Sequence, residues 1–287
     1  VGRGGTLHRL VRDRGALTGA VLVACLVAFA LLFPLVSSHD PFASDFARGI
    51  GPSGGPAPPG SAFLLGTDRI FRDELVRLAC GARLSLFIAA SATLLATAIG
   101  GIVGIAAGFF RGVTDLVLMR LVDVGLAFPF LLLVMAIGAA LGKTTPATIL
   151  LVLGLTGWLG SARIVRAKTI QIRDADFVTA SRALGQSTPR ILFLHVLPNV
   201  AGPLAVLATL SIAQMIVAES VLSYLGAGIA PPTPTWGHML FEGQDMALVA
   251  PWTLVAPAVA ILVSTLAFNL LGEGLRDALD PTSVERR

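Results

Sequence analysis

Few residues in this 287-residue chain are suited to chemistry. The stretch GAALGKTTP, with Gly138, Gly142, Lys143 and the hydroxyls of Thr144 and Thr145, comes near a glycine-rich phosphate cradle. Such a cradle needs four residues between its glycines and a preceding strand; here there are three, and they follow a long apolar run. A tight external hairpin is the preferred reading over an ATP site. Cys25 and Cys80 lie in or beside apolar runs, with neither metal-ligand spacing nor a disulfide framework. Two carboxylates sit near the ends of apolar runs. Glu219 is a candidate for the wall of a translocation path or for pairing across a subunit interface, whereas Asp123 reads as a hydrated interfacial residue and not as a proton relay. This inventory predicts no catalytic set, no metal site and no bound cofactor.

The elements that carry these residues are membrane-length. Hydrophobic residues make up 55% of the chain and charged residues 13%, with a mean hydropathy of +0.82. Soluble domains carry about 25% charge, so the composition is that of a membrane protein. The net charge of +4 is not concentrated among aromatics, which argues against a nucleic-acid partner. An all-α polytopic protein with six transmembrane helices is expected, in contact with membrane lipid.

In order, residues 1–16 form a basic tail and 17–36 a first span long enough to cross the hydrocarbon core, preferred over a cleaved signal peptide. Residues 37–82 form an external loop. Its GIGPSGGPAPPG reads as flexible, and the part from Phe63 onward reads as an interfacial helix with Ile70, Leu75, Leu78 and Ala79 on lipid and Arg69, Arg72, Asp73, Glu74 and Arg77 in water. Residues 83–272 hold five further spans. The second carries Ala92, Ala96, Gly100, Gly104 and Gly108 at four-residue spacing, a stripe that lets another helix backbone approach closely. The third, about 121–141, contains Pro129 and should kink there. The fourth, fifth and sixth run about 147–164, 198–218 and 251–271, and 273–287 form a tail.

Between the fourth and fifth spans, residues 163–197 form a polar interval with strong helix punctuation. Asp176 can cap a helix start and Gly185 stands where a left-handed helix end is wanted. The helix between them is too short to be stable alone in water, so it should be docked on something. Phe177, Ala180, Ser181 and Leu184 recur at helical spacing and give one narrow face with small residues at its centre. Thr188 and Pro189 start a second helix. From pattern alone, an ordinary connector between two spans and a docking element both remain open.

The string FVTASRALGQSTPRILFLHVLPN resembles the EAA loop of the inner-membrane permeases of ABC importers, in the dipeptide, oligopeptide and nickel subgroup of the binding-protein-dependent transport permeases. Thr179, Ala180 and Ser181 stand at the Glu-Ala-Ala positions, Ala183 and Leu184 precede the motif glycine at Gly185, and Leu197-Pro198 closes it. Two departures are Thr179 in place of Glu and His195 at a usually apolar position. A second stretch resembles the subgroup at Gly66, Thr67, Asp68, Arg72, Asp73, Arg77, Gly81, Ala82, Arg83, Ser85 and Leu86, with Phe71 and Val76 as departures; ESVLSYLGAGIAPPTPTWGHML and NLLGEGLRDALDP add to it.

The resemblance implies a type I importer permease fold. It also implies a coupling helix that sits in a cleft of a cytoplasmic ATPase subunit, formed by Phe177, Thr179, Ala180, Ser181, Ala183, Leu184 and Gly185. The implied partners are a second, homologous permease (a heterodimer), two ABC ATPase subunits carrying ATP and Mg, and an extracytoplasmic substrate-binding protein. Placement in the prokaryotic cytoplasmic membrane follows, with peptides as substrate and nickel or another small solute as the alternative. A secondary transporter would show inverted repeats with matched broken spans, and a non-transporting scaffold would need no docking loop. With both ends inside, 15 of the 21 Lys and Arg fall on the inner side, including six in 163–197, which supports the N-in, C-in orientation.

Overall fold

The computed structural model describes residues 13–142 and 144–279. The basic residues at 3, 9 and 12, Lys143 and the end of the chain from 280 lie outside them. Helices account for the ordered structure, and among the described residues strand pairing is limited to the isolated bridges Ile50–Pro56 and Thr67–Asp73.

Helix α1, Arg14–Val36, starts at Asp13, whose carboxylate accepts the Ala16 N–H at 2.8 Å. It packs on the last helix, α11 (Trp252–Leu279), through Gly19, where an added Cβ would lie 2.6 Å from the Leu271 nitrogen. Helix α2, Glu74–Phe110, is 37 residues long, about 55 Å at 1.5 Å per residue. It exceeds the bilayer core and projects beyond it.

The separate interfacial helix expected in 63–82 is absent: α2 starts at Glu74, capped by Asp73, and runs unbroken into the second span. Of the five polar side chains assigned to water, Arg69 is exposed as expected and the other four are buried. Arg72 and Arg77 are buried against the carboxylates of Asp68 and Glu242, Asp73 is buried beside His39, and Glu74 is buried as well, while Ile70 is exposed. The loop ahead of α2 is also ordered. The Ala57 N–H donates to the Gly49 carbonyl at 2.9 Å, Thr67 Oγ1 donates to the same carbonyl at 2.8 Å, and Trp252 Nε1 donates to the Thr67 carbonyl at 3.0 Å. Gly and Pro set its turns here without leaving it loose.

Helices α3, Gly112–Leu126, and α4, Phe130–Leu141, make a bent pair with an angle of 89° between them. The kink expected at Pro129 is thus a break, since Pro129 has no N–H to donate back to the Gly125 carbonyl. Helix α5, Pro146–Thr156, opens on a reciprocal cap between Thr145 and Thr148, and α6, Leu159–Arg173, extends the same span nine residues past its expected end at Ile164. Among the described residues five stretches have the length and apolarity of membrane spans, and six if α3–α4 counts as one.

Ala92, Ala96, Gly100, Gly104 and Gly108 are all buried. Gly100, Gly104 and Gly108 lie against the backbone of α6: a Cβ on Gly104 would stand 2.6 Å from the Ala162 carbonyl oxygen, and one on Gly108 2.7 Å from that of Arg166. Around this contact the core has two main parts and a small third one of Val122, Leu159 and Ala162. One part, with Ile88, Leu153, Ile216, Leu222 and Trp236, fills the bundle; the other, with Phe109, Val165, Ile172, Val178, Ile191 and Val196, lies at the end that carries residues 174–196.

Candidate docking loop, buried polar sites and cavity

Helix α7 spans Asp176–Ala183. Ala175, and not Asp176, occupies the cap position; Asp176 is the first helical residue, where its charge still favours the positive end of the helix. The far end closes as predicted. Gly185 has φ +76°, its N–H donates to the Arg182 carbonyl at 2.9 Å, and the Gln186 N–H donates to that of Ser181 at 3.1 Å. This pair of bonds stops the helix sharply.

The predicted face divides between the chain and its surroundings. Ser181 is buried: its Oγ donates to the Phe177 carbonyl at 2.8 Å and lies 3.1 Å from His195 Nε2. Val178, which the pattern did not single out, is fully buried beside it. Ser181 therefore holds α7 to its own chain and is not free for a partner. The outward face is made by Phe177, Thr179, Ala180, Ala183 and Leu184, the last 81% exposed. His195 also lies against Phe177 in a tilted ring contact, with centroids 5.9 Å apart, so both family departures in this region have a place: His195 pairs with Ser181, and Thr179 faces outward. Arg182 sits 5.3 Å over the Phe109 ring at the end of α2, a cation–π contact, and Arg111 pairs with Asp174.

The chain continues through α8, Thr188–Ile191, and a π-helical turn, Leu192–Val196, directly into α9, Leu197–Tyr224. Leu197 and Pro198 are exposed at the start of α9. The loop is therefore joined to a membrane span without an intervening hinge.

Glu219 does not line a path. It is fully buried inside this chain near the C-terminal end of α9, where Ser85 Oγ donates to it at 3.1 Å and Ser223 Oγ at 2.8 Å. Ser85 Oγ in turn accepts the Trp236 N–H at 3.3 Å, which ties in α10, Trp236–Gln244. The carboxylate is consumed in joining α2, α9 and α10, which explains why it faces neither a path nor a second subunit. Asp123 meets Arg163 at 2.5 Å and is partly exposed, as a hydrated interfacial residue would be.

Sequence reasoning missed the densest polar site. Arg72 Nε lies 2.6 Å from Asp68 Oδ2, Arg77 Nη2 lies 2.6 Å from Glu242 Oε2, and cross-contacts at 3.2 Å close a four-membered ring of charges at the start of α2. Burial alone would raise the Glu242 carboxyl, but His238, Arg77 and Arg72 around it outweigh that and hold it at about 2. Because this folded value is depressed, the stability it contributes is complete above the ordinary value of 4.5 and is lost as pH falls from there toward 2. The unfolding temperature of the detergent-solubilised protein should therefore drop through this window, and the drop should be shallower in Glu242→Gln. The available signal was the match at Asp68, Arg72 and Arg77, but the carboxylate that completes the ring is 165 residues further on.

A cavity of about 660 Å³ opens where the α3–α4 break, the α5–α6 joint, α9 and α11 meet. Phe128, Thr156, Gln214, Met215, Thr265 and Asn269 are among its lining residues, none of which is ionisable. Among the described residues, no group of three His, Cys, Asp or Glu is placed to hold a metal ion.

Residues 100–284 match the family described as binding-protein-dependent transport system inner membrane component, and residues 4–59 match the N-terminal TM domain of oligopeptide transport permease C. A di/tripeptide transport system permease protein of Pseudomonas aeruginosa is 42% identical over 274 residues, covering 94% of this chain and 88% of that protein. A putative peptide transport system permease protein of Brucella abortus is 40% identical over 276 residues, 96% of this chain and 90% of its relative. The oligopeptide transport system permease protein of Bacillus subtilis is 37% identical, with 95% and 87% covered. Among solved structures, an inward-facing MetNI methionine ABC transporter chain superposes with a TM-score of 0.57 at 18% identity, covering 71% of this chain and 96% of its own, which supports a shared fold.

Proposed function

The chain belongs to the binding-protein-dependent transport system inner membrane components, and from that membership we propose that it is a permease subunit of an ATP-driven importer of peptides. It has no enzymatic role of its own in this reading. Two ATPase subunits bind ATP with Mg and hydrolyse it, a second homologous permease completes the path, and an extracytoplasmic binding protein delivers the substrate. Both ends of the chain lie in the cytoplasm of a prokaryote, as the Lys and Arg distribution favours.

The observation that carries the mechanical part is α7. An eight-residue helix with a fixed stop presents Phe177, Ala180 and Leu184 to the outside, and an exposed apolar patch on a polar loop is surface waiting for a partner. Closure of the ATPase subunits on ATP displaces α7. The displacement passes through α8 and the π turn into α9, and the bundle switches between inward- and outward-facing forms.

The test is Gly185→Val. No atom crowds a Cβ at this position, but a β-branched residue at φ +76° is strained by its backbone alone. The expected result is a local loss of about 1–2 kcal/mol at the helix end, insertion of the bundle as in the wild type, and loss of co-purifying ATPase and of peptide uptake. Unchanged uptake and assembly would overturn coupling through α7.

A further inference from the structure

Gln214 on α9 and Asn269 on α11 are amide side chains well inside membrane-length helices, and both are exposed. Neither makes a hydrogen bond to another described residue. An unpaired primary amide facing hydrocarbon is strongly disfavoured, so each needs water, a partner or a ligand in front of it. Both line the cavity described above, with Thr156 and Thr265. A third feature of the wall is independent of them: the non-helical backbone at 127–129 in the α3–α4 break, where Phe128 lines the same space. Irregular backbone at membrane depth is tolerated only where protein covers it or where it borders a water-filled cavity.

The chemistry of this wall selects a kind of ligand. A carboxamide offers a carbonyl acceptor and an N–H donor together, the same pair that a peptide unit presents, so Gln214 and Asn269 can each match a main-chain amide. In the same lining Phe130, Leu131, Met215 and Val221 offer apolar surface that accepts varied side chains without choosing among them. The lining supplies no carboxylate, imidazole or thiolate, the groups that would take a dipositive metal ion. A volume of about 660 Å³ falls within the roughly 300–1,000 Å³ of pockets that hold small organic ligands.

We propose that this cavity is a binding station for the peptide in transit, in which Gln214 and Asn269 hold main-chain amides and the apolar wall accommodates side chains. The proposal rests on the reading of the chain as a peptide permease. The test uses the complete transporter with its binding protein in proteoliposomes and a labelled mixture of di- to hexapeptides as probe. Gln214→Leu and Asn269→Leu are each expected to lower uptake about tenfold per assembled complex, and uptake by both within about twofold of the wild type would overturn the station. A second measurement guards against misassembly. In a chain carrying Cys25→Ala and Cys80→Ala, Gln214→Cys should react with a water-soluble methanethiosulfonate, and the peptide mixture should slow that reaction. No labelling, as expected of a face covered by lipid or by the second permease, would overturn the proposal. A wild-type complex that imports none of the peptides would instead overturn the peptide reading itself, and the station with it.

Discussion

Arg77→Met is expected to destabilise the protein by about 3–5 kcal/mol, the cost of leaving a buried charge without its partner. Arg77 is 1% exposed and is paired with both Glu242 and Asp68. Met fills much of the same volume, so the loss reads the charge and not a void. With Arg77 gone, Arg72 alone faces two carboxylates, and buried Glu74 lies close by. Thermal unfolding of the purified chain in detergent measures the effect. The double variant Arg77→Met, Glu242→Leu should recover part of it, because removing both charges removes the desolvation cost that neither can offset alone. Equal unfolding temperatures for wild type and Arg77→Met would show that the ring adds nothing to stability.

Gly104→Val is the second large effect. The Cβ alone would stand 2.6 Å from the Ala162 carbonyl oxygen and 2.6 Å from Val165 Cβ, and the first of these belongs to a helix backbone that cannot turn aside. Overpacking of this kind costs about 3 kcal/mol or more where two helices must separate. Gly138→Ala on α4 is the control, since nothing lies within 4 Å of its added Cβ. There Ala should stabilise by up to about 1 kcal/mol through helix propensity. If the two variants unfolded alike, the close approach of α2 and α6 would not be what holds the bundle.

The stripe at Ala92 to Gly108 was legible because four-residue spacing of small residues has one physical use in lipid. The stop at Gly185 was legible for a similar reason: a left-handed residue after an amphipathic turn is marked locally. What escaped was set by distant partners. The 63–82 stretch has the spacing of a helix lying on a membrane, and nothing local distinguishes it from a helix standing upright with its arginines buried against Asp68 and Glu242. Glu219 reads as available because its two donors, Ser85 and Ser223, come from another helix and from the next turn. Helix α10 was passed over within a polar segment, although Thr235, whose side chain accepts the His238 N–H, offered a cap signal. The face of α7 was found by periodicity, but its division into Ser181 inward and Leu184 outward depends on His195, fourteen residues on.

The π turn has a geometric consequence. At Leu192–Val196 the Leu197 N–H reaches back to the Leu192 carbonyl, one residue further than an α-helix would reach. An α turn takes about 3.6 residues and this wider turn takes roughly one more. The surplus residue is therefore absorbed inside the turn, and deleting it should leave α8, with Leu184 ahead of it, at nearly the same bearing about the shaft. A residue added to the α-helical part of α9 would instead swing them by about 100°, so this one widened turn is where the chain tolerates a change of length without re-aiming what lies ahead.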